Sequence, residues 1–304
     1  MKLIDRILNP ENLRLAWEEV AENKGARGID DVSIKRWRRN WEERLMNLAH
    51  AVRANTYMPH PLRRFSIPKK DGSLRHLSIL TVTDRVLQRA VLRVIDDRFD
   101  RLFLKCSYGY RPGRGVRDAV PVILDYRNQG CQWVLDADID ECFDSLDHTL
   151  LLEFLTEEIG DPIVTSLMRA WLRVGARNRE QAVGVPLGAV LSPLFCNIYL
   201  HRLDAHLTDE GFSLVRYADD FCVFCTSQVE ARCALRETEA ILANLKLRLE
   251  PRKTNITHFE EGFDFLGVHF YRDTYSFTSQ EKRIEVQGNF DPYLFYDYVP
   301  DGYE

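Results

Sequence analysis

The chain has 304 residues, 45% hydrophobic and 29% charged, which is an ordinary globular composition and enough for one large multi-lobed domain or two smaller ones. Its seven scattered cysteines argue against a disulfide framework, and no stretch approaches the roughly 18 apolar residues of a membrane-spanning helix. Because the first residues also lack the apolar core of a signal peptide, we expect a cytoplasmic protein with no membrane partner.

Positive charge is concentrated in one region, although the net charge is −5. Between His60 and Val120 there are fourteen Lys or Arg against six Asp, whereas the last twenty residues hold five acids, six aromatic residues and no Lys or Arg. A run of charges is more often a solvated helix face. Here the surplus is long and coincides with the motifs below, which favours a phosphate-binding surface.

The hydrophobic spacing predicts a mixed order of helices and strands. Residues 1–60 have apolar positions at helical spacing, and RRFSIPKKDGSLRHLSIL then predicts a β-hairpin followed by a helix. CQWVLDAD predicts a buried strand, and three helices, a hairpin, a long amphipathic helix and a final strand region follow. The order α, ββ, α, β, α, α, α, ββ, α, β predicts an α+β protein with a mainly antiparallel sheet.

Three carboxylates interrupt strongly apolar stretches. Asp138 follows the strand through Trp133–Leu135, and Asp219 and Asp220 lie between the two apolar runs of the predicted hairpin. A carboxylate in apolar surroundings is costly without a partner. Two Mg²⁺ ions about 3.5–4 Å apart would be such a partner and could activate a 3′-hydroxyl and stabilise a leaving pyrophosphate. Taken alone, however, Ala-Asp-Asp is more readily a polar hairpin turn.

A series of seven blocks resembles the bacterial reverse transcriptases of the group II intron type. RYADDF resembles their YxDD box, and LDADIDECFDSLDH resembles their first catalytic strand. The other blocks keep the family's order and extend the resemblance over roughly residues 67–270: IPKKDGSLRHLSILTVTDRVLQRAV, SYGYRPGRGVRDAV, GVPLGAVLSPLFCNIYLHRLD, KLRLEPRKT and FDFLGVHF. The resemblance implies a right-hand polymerase with fingers and palm over residues 61–272, its antiparallel palm sheet backed by helices. A helical N-terminal extension (1–60) would precede this domain, and an acidic aromatic tail (273–304) would follow it.

The resemblance also implies the catalytic residues. Asp138 and Asp219 would bridge two Mg²⁺ ions, for which Mn²⁺ could substitute. Asp220 would be the third acid, and the backbone of Ile139 a further metal ligand. Lys253 resembles the lysine that neutralises or protonates the leaving pyrophosphate.

Five further positions are implied in nucleotide binding. Lys69 and Arg75 resemble the fingers residues that grip the incoming triphosphate. Phe143 occupies the place of an aromatic gate that clashes with a ribose 2′-hydroxyl, although a core phenylalanine is an equally good interpretation. The family's Pro-Gln-Gly is here Pro-Leu-Gly. Since Leu187 cannot donate a hydrogen bond, we expect altered nucleotide handling, with backbone near Gly188 still lining the pocket.

The remaining implied contacts are to nucleic acid. Arg111 and Arg114 are candidates for the template backbone, and Phe265–Leu266–Gly267 resembles the primer-grip hairpin. Related intron proteins continue into a basic helical thumb, whereas this chain ends in acidic and aromatic residues that do not suit a duplex backbone. We therefore expect an absent or minimal thumb, no intron splicing, and a C-terminal segment that is a partner-binding peptide or a disordered end.

The leading hypothesis is an RNA-directed DNA polymerase that extends a DNA or RNA primer with dNTPs on an RNA template. Its expected setting is host defence, either CRISPR spacer acquisition from RNA or another antiphage system, with an adaptation or other defence protein as partner. Two alternatives remain: template-independent or protein-primed DNA synthesis by the same site, for which Leu187 leaves room, and a non-catalytic RNA-binding subunit with a polymerase fold.

Overall fold

The computed structural model describes residues 2–68, 74–178, 180–279 and 282–292. The described helices are α1 (Leu3–Ile7), α2 (Pro10–Glu22), α3 (Ile34–Trp37), α4 (Trp41–Arg53), α5 (Val82–Asp100), α6 (Val116–Asn128), α7 (Cys142–Ser145), α8 (His148–Ile159), α9 (Pro162–Gly175), α10 (Ser192–Asp209) and α11 (Gln228–Asn244), with a 3-10 turn at Arg38–Asn40. The described strands are β1 (Arg63–Pro68), β2 (Leu74–Ile79), β3 (Trp133–Asp138), β4 (Ser213–Tyr217), β5 (Asp220–Cys225), β6 (Asn255–His258), β7 (Phe263–Phe265), β8 (Val268–Tyr271), β9 (Thr274–Ser279) and β10 (Lys282–Gln287). None of the described helices is both long and apolar enough to cross a membrane.

The chain forms two compact units, one of residues 1–101 and 143–199 and the other of residues 102–142 and 200–304. In the first unit, α2 packs on α5 through its buried face. Trp37 is fully buried, and its indole Nε1 donates to Thr83 Oγ1 at 3.0 Å. The N-terminal helices therefore complete the core around α5, and residue 60 is not a boundary between compact units.

The first unit also contains the predicted hairpin. β1 and β2 pair antiparallel from Arg63 opposite Ile79 to Pro68 opposite Leu74, which confirms the two arms. The turn between them lies outside the described residues. Thr81 begins the following helix, since its hydroxyl accepts from the backbone N–H of Asp84 at 3.2 Å, a typical N-cap contact.

The second unit is built on an antiparallel sheet whose described strands lie in the order β4-β5-β3-β6. Helices α6 and α11 pack against it. β3 and β5 are mostly buried, as expected for apolar strands covered by helices, and pair from Trp133 opposite Cys225 to Asp138 opposite Asp220. This sheet confirms the α+β class and the antiparallel sheet backed by helices.

A second sheet in the same unit corrects the predicted C-terminal boundary. Its described strands lie in the order β10-β9-β8-β7, so residues 274–279 and 282–287 are strands and not a tail. Tyr275 and Phe277 alternate with polar residues and are buried in the core of this unit, with Ile284 and Val286 packed against it. This period of two is the pattern of a half-buried strand, which the aromatic and acidic composition of the last twenty residues obscured. Residues 293–304 lie outside the described part of the chain.

Candidate active site

The register of the central sheet brings the predicted carboxylates together. Asp138 ends β3 and lies directly opposite Asp220, which begins β5. Directly opposed residues of antiparallel strands have Cβ atoms roughly 4.5–5.5 Å apart on the same face. Tyr217 pairs with Asp220 from β4, so Ala218 and Asp219 form a two-residue hairpin loop. The predicted hairpin with acids at its tip is confirmed.

The charges at this end of the sheet favour binding of a cation. Asp138, Asp219 and Asp220 are half-buried. Burial raises the pKa of the Asp219 carboxyl and the charge of Asp138 raises it further, whereas Lys253 and Arg216 lower it. Lys253 Nζ donates to Asp138 Oδ2 at 2.9 Å, and this hydrogen bond raises the pKa of Lys253. The structure thus places the predicted lysine beside the predicted first acid.

The backbone of Ile139 faces the same part of the sheet. Glu250 N donates to Asp138 O at 2.9 Å, and Asp140 N donates to Arg248 O at 3.0 Å. Since successive peptide groups of an extended chain point to opposite edges, the carbonyl of Ile139 is directed away from residues 248–250 and toward β5. The Ile139 side chain is buried. Its backbone oxygen, and not its side chain, is the group available to a metal ion.

These residues fit a metal site that a substrate completes. Among the described residues, no three His, Cys, Asp or Glu side chains form a ready-made ligand cluster. Mg²⁺ in phosphate-transferring enzymes is usually held by one or two carboxylates, with water and substrate phosphates as the other ligands. Asp138 and Asp219 supply such hard oxygen ligands, and burial together with the charge of Asp138 raises the pKa of Asp219. The donor set therefore suits Mg²⁺ or Mn²⁺ in an open site.

The Pro-Leu-Gly segment is joined to the β1–β2 hairpin within the first unit. Ser78 N donates to Leu187 O at 2.9 Å. Gly188 has a φ of +94°, and a Cβ there would meet Ser78 O at 2.9 Å, so glycine is needed on both counts. Leu187 lines a cavity of about 310 Å³ together with Ser66 and His76, whose side chains hydrogen-bond each other at 2.9 Å. The apolar side chain of Leu187 therefore lines the same cavity as the polar side chains of Ser66 and His76.

The other three predicted nucleotide-binding residues are Lys69, Arg75 and Phe143. Lys69 lies outside the described residues, and of Arg75 only the backbone in β2 is described. Phe143 is 9% exposed, and its carbonyl accepts from Val185 N at 2.7 Å. Burial to this degree suits a core residue as well as a gate, so the predicted role of Phe143 stays a prediction.

The two candidate template-binding arginines differ. Arg111 is 7% exposed, and its Nη1 donates to the carbonyls of Leu104 at 2.7 Å and Ser107 at 2.9 Å. These contacts hold the preceding loop, and the predicted template contact of Arg111 stays a prediction. Arg114 is half-buried, donates to Lys105 O at 2.8 Å, and keeps part of its side chain at the surface.

The predicted primer-grip residues form the tight β7–β8 hairpin. Phe265 pairs with Val268, and the intervening Leu266 and Gly267 have φ angles of +55° and +73°. Positive φ at both central residues is the mark of a type I′ turn, which suits the twist of a hairpin. Leu266 is 1% exposed, so its side chain anchors the turn in the core.

Sequence reasoning missed the ion pair of Arg216 and Asp204. Both side chains are fully buried, and they form two hydrogen bonds of 2.6 Å with each other. The signal was present: an arginine inside the apolar run Leu214–Tyr217 needs a buried partner. The identity of the partner could not be read from spacing alone.

Comparison with known proteins agrees with this geometry. A family model described as reverse transcriptase (RNA-dependent DNA polymerase) matches residues 67–270. Protein YkfC of Escherichia coli K12 is 30% identical over 318 residues, which cover 89% of this chain and 83% of that protein. The group II intron-encoded protein LtrA of Lactococcus lactis is 33% identical over 210 residues, which cover 67% of this chain but only 34% of LtrA.

The fold has solved counterparts. A telomerase structure from Candida albicans superposes with a TM-score of 0.54 at 14% identity, over 82% of this chain and 52% of that one. At that identity the likeness shows the fold, which is the fingers and palm of a polymerase. The chain therefore belongs to the reverse transcriptase (RNA-dependent DNA polymerase) family, in its group II intron-like branch.

Proposed function

We propose that this chain extends a primer with dNTPs on an RNA template, with two Mg²⁺ ions held at Asp138 and Asp219. The observation that supports the proposal most directly is the register that sets Asp138 opposite Asp220 and leaves Asp219 in the adjoining turn. Two divalent ions at such a site would activate the primer 3′-hydroxyl and stabilise the leaving pyrophosphate.

The chain's own groups have distinct tasks in this proposal. The carboxylates of Asp138 and Asp219, with the carbonyl of Ile139, would hold the ions. Lys253 stays protonated because its hydrogen bond to Asp138 raises its pKa. Its ammonium can therefore neutralise a developing phosphate charge or transfer a proton to the pyrophosphate oxygen. Asp220 shares the face of Asp138 and would support the ion site.

Binding of the nucleotide and the nucleic acid is assigned to the hairpins. Lys69 and Arg75, the predicted fingers residues, would contact the triphosphate. Arg114 would contact the template and the β7–β8 turn the primer. The host-defence setting and a partner among CRISPR adaptation or other antiphage proteins stay predictions, which co-purification from the native host tests.

The decisive experiment supplies purified protein with a primed RNA template, Mg²⁺ and dNTPs. We expect full-length complementary DNA from the natural sequence and no product from Asp219→Ala. An inactive natural protein that still retains RNA on a filter would instead support the non-catalytic RNA-binding subunit. Product of undiminished yield from Asp219→Ala would exclude the proposed metal site.

Template-independent synthesis is the second candidate function, and the apolar Leu187 in the cavity beside Ser66 and His76 favours it. A leucine at this position gives up the side-chain amide that would bond to a nucleotide or its template partner. Sequencing the product decides between the candidates. A templated enzyme returns the complement of the supplied RNA, whereas the alternative returns random or repetitive DNA with or without RNA.

A further inference from the structure

The turn that carries Asp219 has a backbone that its own sequence does not favour. Ala218 has a φ of +59°, in the left-handed region that is costly for a residue with a Cβ. Two-residue hairpin loops usually place Gly or Asn at such a position. The surrounding structure must therefore hold this turn in shape.

We propose that Arg216, Asp204 and Gly109 form a positioning clamp that fixes the Asp219 turn for metal binding, an inference that rests on the proposed function. None of the three has been given a catalytic role above. Each contacts the turn or a residue that does, and all lie within the second compact unit.

The Arg216 guanidinium is the inner half of the positioning clamp. It is fully buried, and Nη1 donates to Ala218 O at 2.8 Å. Nε and Nη2 donate to the two carboxylate oxygens of Asp204, both at 2.6 Å, and Nη2 also donates to Ser107 Oγ at 2.9 Å. A planar guanidinium held at both edges has little freedom, so the carbonyl of Ala218 is fixed in position.

Gly109 is the outer half of the positioning clamp. A Cβ at this position would lie 2.6 Å from Ala218 N and 3.0 Å from Tyr217 C, both backbone atoms of the turn. Backbone atoms cannot swing aside as a flexible side chain can. The loop therefore packs directly on the turn, and any residue larger than glycine would displace it.

The loop before Gly109 is itself secured to β4. Arg216 N donates to Cys106 O, and Tyr108 N donates to Arg216 O, each at 2.8 Å. These two bonds make a short parallel bridge between Ser107 and Arg216 along β4, the edge strand of the described sheet. The same arginine thus joins the loop through its backbone and the turn through its side chain.

If the Arg216–Asp204 pair only stabilised the fold, the hydrogen bond from Arg216 to Ala218 O would not be required. Buried ion pairs are often replaced by apolar side chains of similar volume with little loss of stability, because desolvation offsets their attraction. An apolar pair would nevertheless leave Ala218 O without its donor. Stability and positioning can therefore be separated by experiment.

The first test compares the natural protein with the double variant Arg216→Met/Asp204→Leu. Circular dichroism and thermal melting report the fold, Mn²⁺ titration followed by electron paramagnetic resonance reports the metal site, and single-turnover primer extension reports chemistry. We expect a folded variant with weakened Mn²⁺ binding and a rate of chemistry reduced about 10- to 100-fold, the usual effect of a small misplacement. Natural Mn²⁺ affinity and rate in the folded double variant would overturn the proposal.

The second test does not disturb the ion pair and remains informative if the double variant fails to fold. Gly109→Ala is compared with Gly115→Ala in the same loop, where a Cβ meets no atom within 4 Å and φ is −164°. We expect Gly109→Ala alone to weaken Mn²⁺ binding and slow chemistry, and equal behaviour of the two variants contradicts the positioning clamp. A natural protein that neither binds Mn²⁺ nor extends a primer would mean failure of the proposed function itself.

Discussion

Lys253 Nζ and Asp138 Oδ2 are 2.9 Å apart, although the two residues are far apart in the chain. The lysine side chain is 63% exposed and the aspartate side chain 23% exposed, so the pair lies at the surface of the sheet end. A surface pair contributes little to stability, about 0–1 kcal/mol. The contact places the proposed proton donor beside the proposed ion-binding acid.

We predict that Lys253→Gln slows nucleotide addition by about 10²-fold with little change in thermal stability, since general acids typically contribute 10²–10⁴-fold. Pre-steady-state primer extension at saturating Mg²⁺ measures the rate. Arg252→Gln, an exposed neighbour, is the matched control. An unchanged rate with a lower Mg²⁺ requirement would show that Lys253 only competes with the ion for Asp138.

Asp219→Asn should abolish activity without unfolding the protein. The loss of one ion-binding oxygen is expected to cost several kcal/mol in the transition state, roughly a 10³-fold decrease in rate. Because burial and the charge of Asp138 raise the pKa of Asp219, the ionised carboxylate is less favourable in the folded protein than in the unfolded chain. The melting temperature at neutral pH should therefore stay equal or rise. A destabilised Asp219→Asn protein would contradict the inferred charge strain.

Leu187→Gln introduces the side-chain amide of the Pro-Gln-Gly segment that the family usually carries. If the adjacent cavity receives the nucleotide and its template partner, one added hydrogen bond of about 0.5–1.5 kcal/mol should lower KM for dNTPs about two- to tenfold and reduce misincorporation. Leu187→Met, which adds no donor, controls for the altered packing. Equal KM values in the two variants would place nucleotide recognition elsewhere.

Phe143→Ala distinguishes a gate from a core residue. A gate predicts that the ratio of ribonucleotide to deoxyribonucleotide incorporation rises, because the 2′-hydroxyl no longer meets the ring. A purely structural phenylalanine predicts an unchanged ratio and a loss of about 3–5 kcal/mol in stability. Competitive incorporation assays and urea unfolding on the same preparation measure both quantities.

His148 should make the first unit sensitive to acid. It is 6% exposed, hydrogen-bonded to Gly184 O at 2.8 Å, and burial lowers its pKa from the ordinary 6.5. Because the pKa of His148 is lower in the folded than in the unfolded protein, the residue contributes stability at pH values above its unfolded pKa. This contribution is lost as the pH falls through its folded pKa. We expect His148→Asn to lose less stability than the natural protein between about pH 7 and pH 5.

Urea unfolding at the two pH values measures this difference. His50→Asn, at an exposed histidine, is the control and should follow the natural protein. An identical decrease in stability for His148→Asn and the natural protein would show that His148 is not the acid-sensitive group.

The sequence was informative where structure depends on neighbouring residues. Continuous apolar runs predicted β3, β4 and β5, and the acids interrupting them marked one end of these strands. The ordered motifs around Asp138 and Asp219 then indicated the family. The same local approach failed for residues 274–287, where alternating aromatic residues lay beside a C-terminal end whose acidic composition suggested a tail.

Contacts between residues that are far apart in the sequence could not be predicted from residue spacing. Asp138 faces Asp220 only because the strands pair in one register, and a shift of one residue would turn these side chains to opposite faces. Arg216 could be recognised as a buried charge that needs a partner, but only packing selects Asp204 and directs the guanidinium to Ala218 O. Local chemistry therefore determined the kind of site, and long-range packing decided how its residues are held.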